Sequence, residues 1–124
     1  MRARPLLALL LLPGAAAAQG VPSGQAVALW EVLFERAGGG SQMVLRFIAP
    51  GIAEGYAEDA ALEDLDWLCR AHAPPVAATP YARADSVVVT LMDRPVARGA
   101  TDADAVQFFG VYTLDGADCV AEVF

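Results

Sequence analysis

The chain has 124 residues and a formal net charge of −7, and its eight basic residues are all arginines. Binding to nucleic acid depends on clustered Lys and Arg, so this acidic composition argues against nucleic-acid and anionic-lipid partners. Hydrophobic residues make up 56% of the sequence and are interleaved with the acids, which argues against a disordered acidic tail.

The first 18 residues predict a secretory signal peptide. Two arginines precede a short apolar run at residues 6–12, and three alanines ending at Ala18 form a cleavage pattern before Gln19. The apolar run is far shorter than the ~20 residues that span a bilayer. We therefore expect export to the periplasm or the medium. Cleavage would leave residues 19–124 as a single domain with no membrane span, six arginines and fifteen acids, a net charge of −9.

The N-terminal part of this domain predicts a β-hairpin. Residues 26–36 alternate between two faces, so that Trp30 shares a face with Val32. A glycine-rich turn at residues 38–41 leads to a second strand at residues 42–49. The three glycines are not followed by the Lys-Ser/Thr of a phosphate-binding loop, so we interpret them as a hairpin turn.

A helix is predicted next, because from about Tyr56 the apolar spacing changes to three and four residues. Acids crowd its first half, where they complement the helix dipole. We expect Glu63, Asp64 and Asp66 to lie mostly on its solvated face. Residues 73–75, Ala-Pro-Pro, are predicted to end the helix. Its apolar face comprises Ala57, Ala61, Leu65, Leu68 and His72.

Three further strands are predicted after the helix. Residues 86–92 are β-branched and apolar on both sides, which is typical of an interior strand. Residues 107–114 and 118–123 predict two more strands joined by a tight Asp-Gly turn. A helix over residues 102–109 remains an alternative, because Thr and Asp at its start resemble a capping box.

Together these elements predict an α+β fold, an antiparallel sheet of about five strands in the order β-β-α-β-β-β with one helix on one face. Most strands carry large apolar residues on both faces, whereas one helix covers only one face. The second face is covered either by residues 21–25 and the connector at residues 76–83, or by a protein partner or a second copy of the chain.

The two cysteines, Cys69 and Cys119, predict a disulfide. An exported chain with an even number of cysteines favours a bridge. Cys69 lies at the edge of the apolar helix face and Cys119 in the last strand, so the bond would join the helix to that strand. A redox-active or metal-binding pair is the alternative, although catalytic thiols usually lie close together in the sequence.

Few residues predict chemistry. His72 is the single histidine, so it cannot supply a two-histidine zinc site, and we predict no metal and no cofactor. Asp93 and Arg94 end the buried strand at residues 86–92 and form the one suggestive polar cluster. They are a candidate contact for an anion or a peptide carboxylate. The alternative is a local ion pair.

Four segments resemble a known family: VPSGQ at residues 21–25, LMDRPV at 91–96, GATD at 99–102 and QFF at 107–109. They are similar to a group of short exported bacterial proteins, a domain-of-unknown-function family in which some members carry the automatic label acetolactate synthase. The resemblance covers nearly all of residues 19–124 and both cysteine positions. The family usually ends in Cys-x-Trp-Glu-x-Phe, whereas this chain has Ala121 in place of the tryptophan, so no role of that aromatic ring is carried over.

The synthase label implies a thiamine-diphosphate carboligase, which needs a metal, a diphosphate site and several domains in the cytoplasm. A small exported acidic chain fits none of these requirements. We therefore expect a non-enzymatic binding or accessory protein of the cell envelope. The alternative is a small hydrolase that uses a pair of carboxylates facing each other in a concave pocket.

Overall fold

The computed structural model describes residues 20–38, 40–79 and 84–122, which leaves the predicted signal peptide outside the described residues. These ranges form a sheet and one long helix, so the α+β class is confirmed. The elements in chain order are β1 (Ala28–Ala37), β2 (Gly40–Ile48), a 3-10 helix (Pro50–Glu54), α1 (Glu58–Ala77), β3 (Ser86–Met92), β4 (Gln107–Asp115) and β5 (Asp118–Ala121).

The five strands lie side by side in the order β1-β2-β3-β4-β5. β2 and β3 are parallel, and the other neighbouring pairs are antiparallel. The prediction of an antiparallel sheet is therefore wrong for its central pair, and the sheet is mixed. The reason is the connection: α1 and its flanking loops carry the chain back to the same end of the sheet, so β3 runs in the direction of β2.

A β-bulge in β1 changes the prediction for one aromatic side chain. The register between β1 and β2 shifts between Leu29 and Glu31, and Trp30 is the extra residue. Strict alternation would place Trp30 with Val32. Instead its ring lies over the guanidinium of Arg46, with the Arg46 Cζ 5.0 Å from the ring centroid.

Helix α1 follows the predicted spacing at Ala61, Leu65 and Leu68, which are buried against the sheet. It continues past the predicted stop and includes both Pro74 and Pro75. Proline removes one backbone donor and disfavours a helix interior. Here both prolines lie in the last turn, where few bonds are lost, and later backbone groups still bond back to it. The Ala78 N–H donates to the Pro74 carbonyl at 3.0 Å, and the Thr79 N–H donates to the Val76 carbonyl at 3.1 Å.

The main core lies between α1 and one face of the sheet. The N-terminal segment contributes Val21 and Val27 to this core. Cys69 on α1 and Cys119 on β5 are joined in a disulfide with their Cα atoms 6.2 Å apart. The bond therefore joins the helix to β5, the strand at one edge of the sheet. The buried sheet residues on this side are Met43, Leu45, Phe47, Val87, Val89, Leu91 and Tyr112.

Part of the opposite face of the sheet is covered by the segment that joins β3 to β4, residues 93–106, here called the cover loop, whereas Phe109 of β4 on the same face stays exposed. Val96 of this loop is buried, and its carbonyl accepts a hydrogen bond from Arg46. Leu45 and Phe47, on either side of Arg46 in β2, face the helix, so Arg46 faces the other side of the sheet. The predicted cover by residues 21–25 is wrong, because the N-terminal segment packs on the helix side. Residues 76–79 of the predicted connector belong to the end of the helical region. The rest of that connector, residues 80–83, lies outside the described residues.

Residues 102–109 do not form a helix. β4 begins at Gln107, and its first residues pair with β3, Phe108 opposite Leu91 and Phe109 opposite Thr90. The two neighbouring phenylalanines therefore point to opposite faces of the sheet. No helix within the described residues is long and apolar enough to cross a membrane.

Candidate functional site

The cover loop is closed at its base by Asp93 and Arg94, the polar pair that the sequence singled out. The Asp93 carboxylate accepts hydrogen bonds from the Arg94 side chain, at 2.9 Å from Nη2, and from the Val106 backbone N–H at 2.8 Å. The Asp93 N–H in turn donates to the Val106 carbonyl at 3.0 Å. The Arg94 guanidinium and the Val106 amide hold the pKa of Asp93 below its ordinary value. The two hydrogen bonds between Asp93 and Val106 join the two ends of the loop, and Arg94 pairs with the Asp93 carboxylate.

Arg98 joins the middle of the cover loop to β1, the strand at the other edge of the sheet. Its Nε and Nη2 atoms each donate to a carboxylate oxygen of Glu35 at 2.8 Å, which is a bidentate pair. The Arg98 guanidinium lowers the pKa of Glu35, and the carboxylate raises the pKa of Arg98. The loop thus crosses the sheet from β3 to β1. It is held at its base by Asp93 and at its middle by Arg98.

We predict that acid loosens the middle of the cover loop. Because the folded-state pKa of Glu35 is lowered, the Arg98 pair stabilises the fold above the ordinary glutamate pKa and is lost as the pH falls through the lowered value. An NMR titration of the Arg98 and Gly99 amides should therefore show a step with a midpoint below 4.5. Glu35→Gln should abolish this step. A midpoint at or above 4.5 would contradict the assignment.

Beneath the loop lies Arg46, whose guanidinium is almost completely buried. Nη1 donates to Glu31 at 2.5 Å, and Nη2 donates to the Val96 carbonyl at 2.5 Å and contacts the Met92 sulfur at 3.3 Å. The Nε atom is buried and has no hydrogen-bond partner among the described residues. A buried polar group without a partner costs free energy. The Nε–H of Arg46 is therefore an unsatisfied donor of this fold.

A cleft of about 290 Å³ lies between the sheet and the cover loop. Its loop wall is formed by residues 96–100, and its outer part by Phe109, which is 64% exposed. This size is at the lower end of ligand pockets, which run from about 300 to 1,000 Å³. The cleft combines guanidinium, amide and hydroxyl groups with apolar walls. Its sheet and loop side chains include Arg46, Val88, Thr90, Arg98, Gln107 and Phe109.

A second cavity, of about 380 Å³, lies between α1 and strands β4 and β5. Asp66 and Glu122 both line it. The buried Tyr112 hydroxyl donates to Asp66 at 2.6 Å, and the Thr113 hydroxyl donates to Glu122 at 3.0 Å. Burial and the neighbouring Asp66 carboxylate raise the pKa of Tyr112, so this phenol remains a hydrogen-bond donor at all physiological pH values. Both acids are therefore already engaged by hydroxyl donors.

Asp64 differs most from its predicted position. It is fully buried, not on the solvated helix face, and its carboxylate accepts three hydrogen bonds from the N-terminal segment. The Ser23 N–H donates at 2.9 Å, the Ser23 hydroxyl at 2.5 Å and the Gln25 side-chain amide at 2.8 Å. This carboxylate therefore fastens the N-terminal segment to α1. The spacing carried a signal, because Asp64 lies three residues after Ala61 and four before Leu68.

His72 packs against the sheet, as its position on the predicted apolar helix face suggested. Its ring lies 5.1 Å from that of Phe47 in an edge-on arrangement. Burial lowers the pKa of His72. Within the described part of the chain, no three His, Cys, Asp or Glu residues lie close enough together to hold a metal ion.

The residues of the cleft were not singled out from the sequence. Arg46 carried a detectable signal, because it lies between Val44 and Ile48 on one face of a strand that is otherwise apolar on both sides. Arg98 and Phe109 carried none, since their meeting depends on the path of the cover loop. The predicted pair, Asp93 and Arg94, lies at the base of that loop.

Comparisons with known proteins give a family and no function. The family of unknown function DUF6497 matches residues 7–124 of the chain. No curated protein and no solved structure shows significant similarity to it.

Proposed function

Because the chain belongs to DUF6497, a family of unknown function, its role has to be inferred from its own residues, and we propose that it is an exported, non-enzymatic binding protein. The ligand would occupy the cleft between the sheet and the cover loop. The observation that carries this proposal is the buried Arg46, whose Nε lacks a partner among the described residues, in the wall of a cleft that also presents an exposed aromatic ring.

Export is part of the proposal. It is supported by the signal-peptide pattern of residues 1–18 and by the bond between Cys69 and Cys119, because disulfides persist in oxidising compartments. Intact-mass measurement of the protein recovered from the periplasm or the medium of the source cell should give a chain that begins at Gln19. Recovery of the full-length chain from the cytoplasm would contradict export.

The binding role is tested by NMR with a library of small fragments and the ¹⁵N-labelled protein. We expect ligands to shift the amides of Thr90, Gln107 and residues 96–100 together, because these line one cleft. Phe109→Ala should weaken the binding. Phe34→Ala is the matched control, since Phe34 is also an exposed strand phenylalanine but does not line the cleft. Shifts confined to other surfaces, or equal effects of the two variants, would contradict the proposal.

A hydrolase is the second candidate, and it is favoured by the cavity beside α1 because two acids, Asp66 and Glu122, line the same concave space. Two groups of that kind are the minimum for acid-base hydrolysis. If this candidate is correct, the protein turns over a glycoside or ester substrate, and Asp66→Asn and Glu122→Gln each abolish turnover. The binding proposal expects no turnover by the unsubstituted chain and shifts at the cleft alone.

Self-association is proposed through β1, since the cover loop occupies part of the sheet face that the sequence left open for a partner. Leu29, Trp30 and Phe34 on this outer strand are each at least 40% exposed. A second copy would cover them by pairing β1 with β1, because an edge strand presents unpaired backbone groups. Sedimentation should then show a dimer that Phe34→Ser converts to monomer. A monomer at millimolar concentration would contradict this part.

A further inference from the structure

We propose that the ligand of the cleft is a small organic monoanion, a carboxylate attached to a compact apolar group. This inference rests on the proposed binding function and adds the chemical class of the ligand. It follows from the charge of the cleft, the unpaired donor of Arg46, the apolar walls and the size of the space.

The charged side chains that line the cleft are both arginines, Arg46 and Arg98. The sequence as a whole has fifteen acids and eight arginines, so a lining without carboxylates is unusual for this chain. The two guanidiniums come from segments far apart in sequence, β2 and the cover loop. Arginine is the side chain best suited to hold a carboxylate, because its planar donors match the two oxygens.

Arg46 has a donor that the fold itself does not use. Its partners are Glu31, the Val96 carbonyl and the Met92 sulfur, while Nε is buried without a partner among the described residues. The side chain is only 4% exposed, so bulk water does not solvate the group freely. An anion in the cleft would lie beside this incompletely paired guanidinium, in a region where charge interactions are only weakly screened.

The ion pairs around the cleft favour a single negative charge. Glu31 already binds Arg46, and Glu35 already binds Arg98 through two hydrogen bonds. Each guanidinium is therefore largely neutralised on one side. A dianion such as phosphate would add two charges beside two existing carboxylates, whereas a monocarboxylate adds one and can use the remaining donors.

The other walls require an apolar body of limited size. Val88 and Val96 are buried apolar side chains at the cleft, and Phe109 presents most of its ring to solvent. An aromatic or branched aliphatic group would remove this ring from water and gain from stacking on it. The volume of about 290 Å³ is at the lower end of ligand pockets, which favours a small ligand such as a single ring or a short branched chain.

The test compares benzoate with its neutral isostere benzamide, with benzylamine, with acetate and with inorganic phosphate, using NMR shifts of the cleft amides. Benzoate should bind at least about tenfold more tightly than benzamide, the value of one charge-assisted hydrogen bond. Acetate should bind more weakly than benzoate because it lacks the apolar body. Benzylamine and phosphate should not shift the cleft amides at the same concentration.

Matched arginine variants test the site. Arg94 and Arg98 both belong to the cover loop, both pair with one carboxylate and are similarly exposed, at 46% and 42% of their side chains. Arg98→Gln should weaken benzoate binding several-fold and weaken benzamide binding less, because benzamide carries no charge. Arg94→Gln should change neither. Both substitutions lie on the surface, so both variants should fold.

The outcomes separate the ligand class from the binding function. Equal affinity for benzoate and benzamide, or tighter binding of benzylamine or phosphate at the cleft, would overturn the monocarboxylate and leave the binding role intact. If none of the five probes and no library fragment shifted the cleft amides, the ligand class and the proposed function would both fail. Equal effects of Arg94→Gln and Arg98→Gln on benzoate would overturn the assignment of Arg98.

Discussion

Replacing both Cys69 and Cys119 by alanine is expected to lower the free energy of unfolding by about 4 kcal/mol. The bond closes a loop of 50 residues, and the chain-entropy model assigns a loop of this length that value because the cross-link restricts the unfolded chain. It also joins α1 to β5, a four-residue strand at the edge of the sheet. A stability of 5–15 kcal/mol is typical of a small domain, so this loss is a large share.

Urea denaturation with and without dithiothreitol measures the effect. The reduced unsubstituted chain should unfold at about the same urea concentration as the Cys69→Ala/Cys119→Ala variant. The variant itself should not respond to the reductant, which is the internal control. A difference below about 1 kcal/mol between oxidised and reduced chains would mean that the bond contributes little to stability, contrary to the entropic argument.

Asp64→Ala is expected to destabilise the fold by about 3 kcal/mol, the second large effect. The substitution leaves the Ser23 N–H, the Ser23 hydroxyl and the Gln25 side-chain amide without their acceptor. A buried donor that loses its acceptor costs about 1–3 kcal/mol, and part of this is recovered where water reaches Ser23. The N-terminal segment should detach first, because Asp64 accepts its side-chain and backbone hydrogen bonds.

Glu63→Ala is the matched control, because Glu63 is the neighbouring acid on the same helix but is exposed. It should change the free energy of unfolding by less than about 0.5 kcal/mol. Urea denaturation gives both values, and hydrogen exchange at Val21 and Val27 reports the detachment of the segment. Equal stabilities of the two variants would contradict the role assigned to Asp64. A double-mutant cycle with Gln25→Ala should show a coupling of about 0.5–3 kcal/mol.

The spacing of apolar residues predicted most of the secondary structure correctly. Alternation located β1 and β2, a β-branched run located β3 as the interior strand, and the Asp-Gly turn located β4 and β5. The helix began close to its predicted start, but its end was wrong because Pro74 and Pro75 lie in the last turn, where their missing donors cost little. These successes share one cause: the periods of two and of three to four residues are local properties of the chain.

The candidate site was much harder to predict than the fold. The sequence singled out Asp93 and Arg94, which close the base of the cover loop, but it gave no reason to group Arg46 with Arg98. These two meet because the loop crosses the sheet face opposite the helix. A loop path depends on which apolar surface remains uncovered after the helix has packed, and no local period encodes that.

The sequence by itself determined the class of fold, the position of the strands and of the helix, and the acidic composition, because each of these follows from residue type and short-range spacing. The tertiary structure alone decided that β2 and β3 are parallel, that Asp64 is buried as an acceptor for the N-terminal segment, and that the cover loop encloses a cleft beside Arg46. The physical reason is that burial, charge pairing and strand direction are set by segments that meet only after the chain has folded.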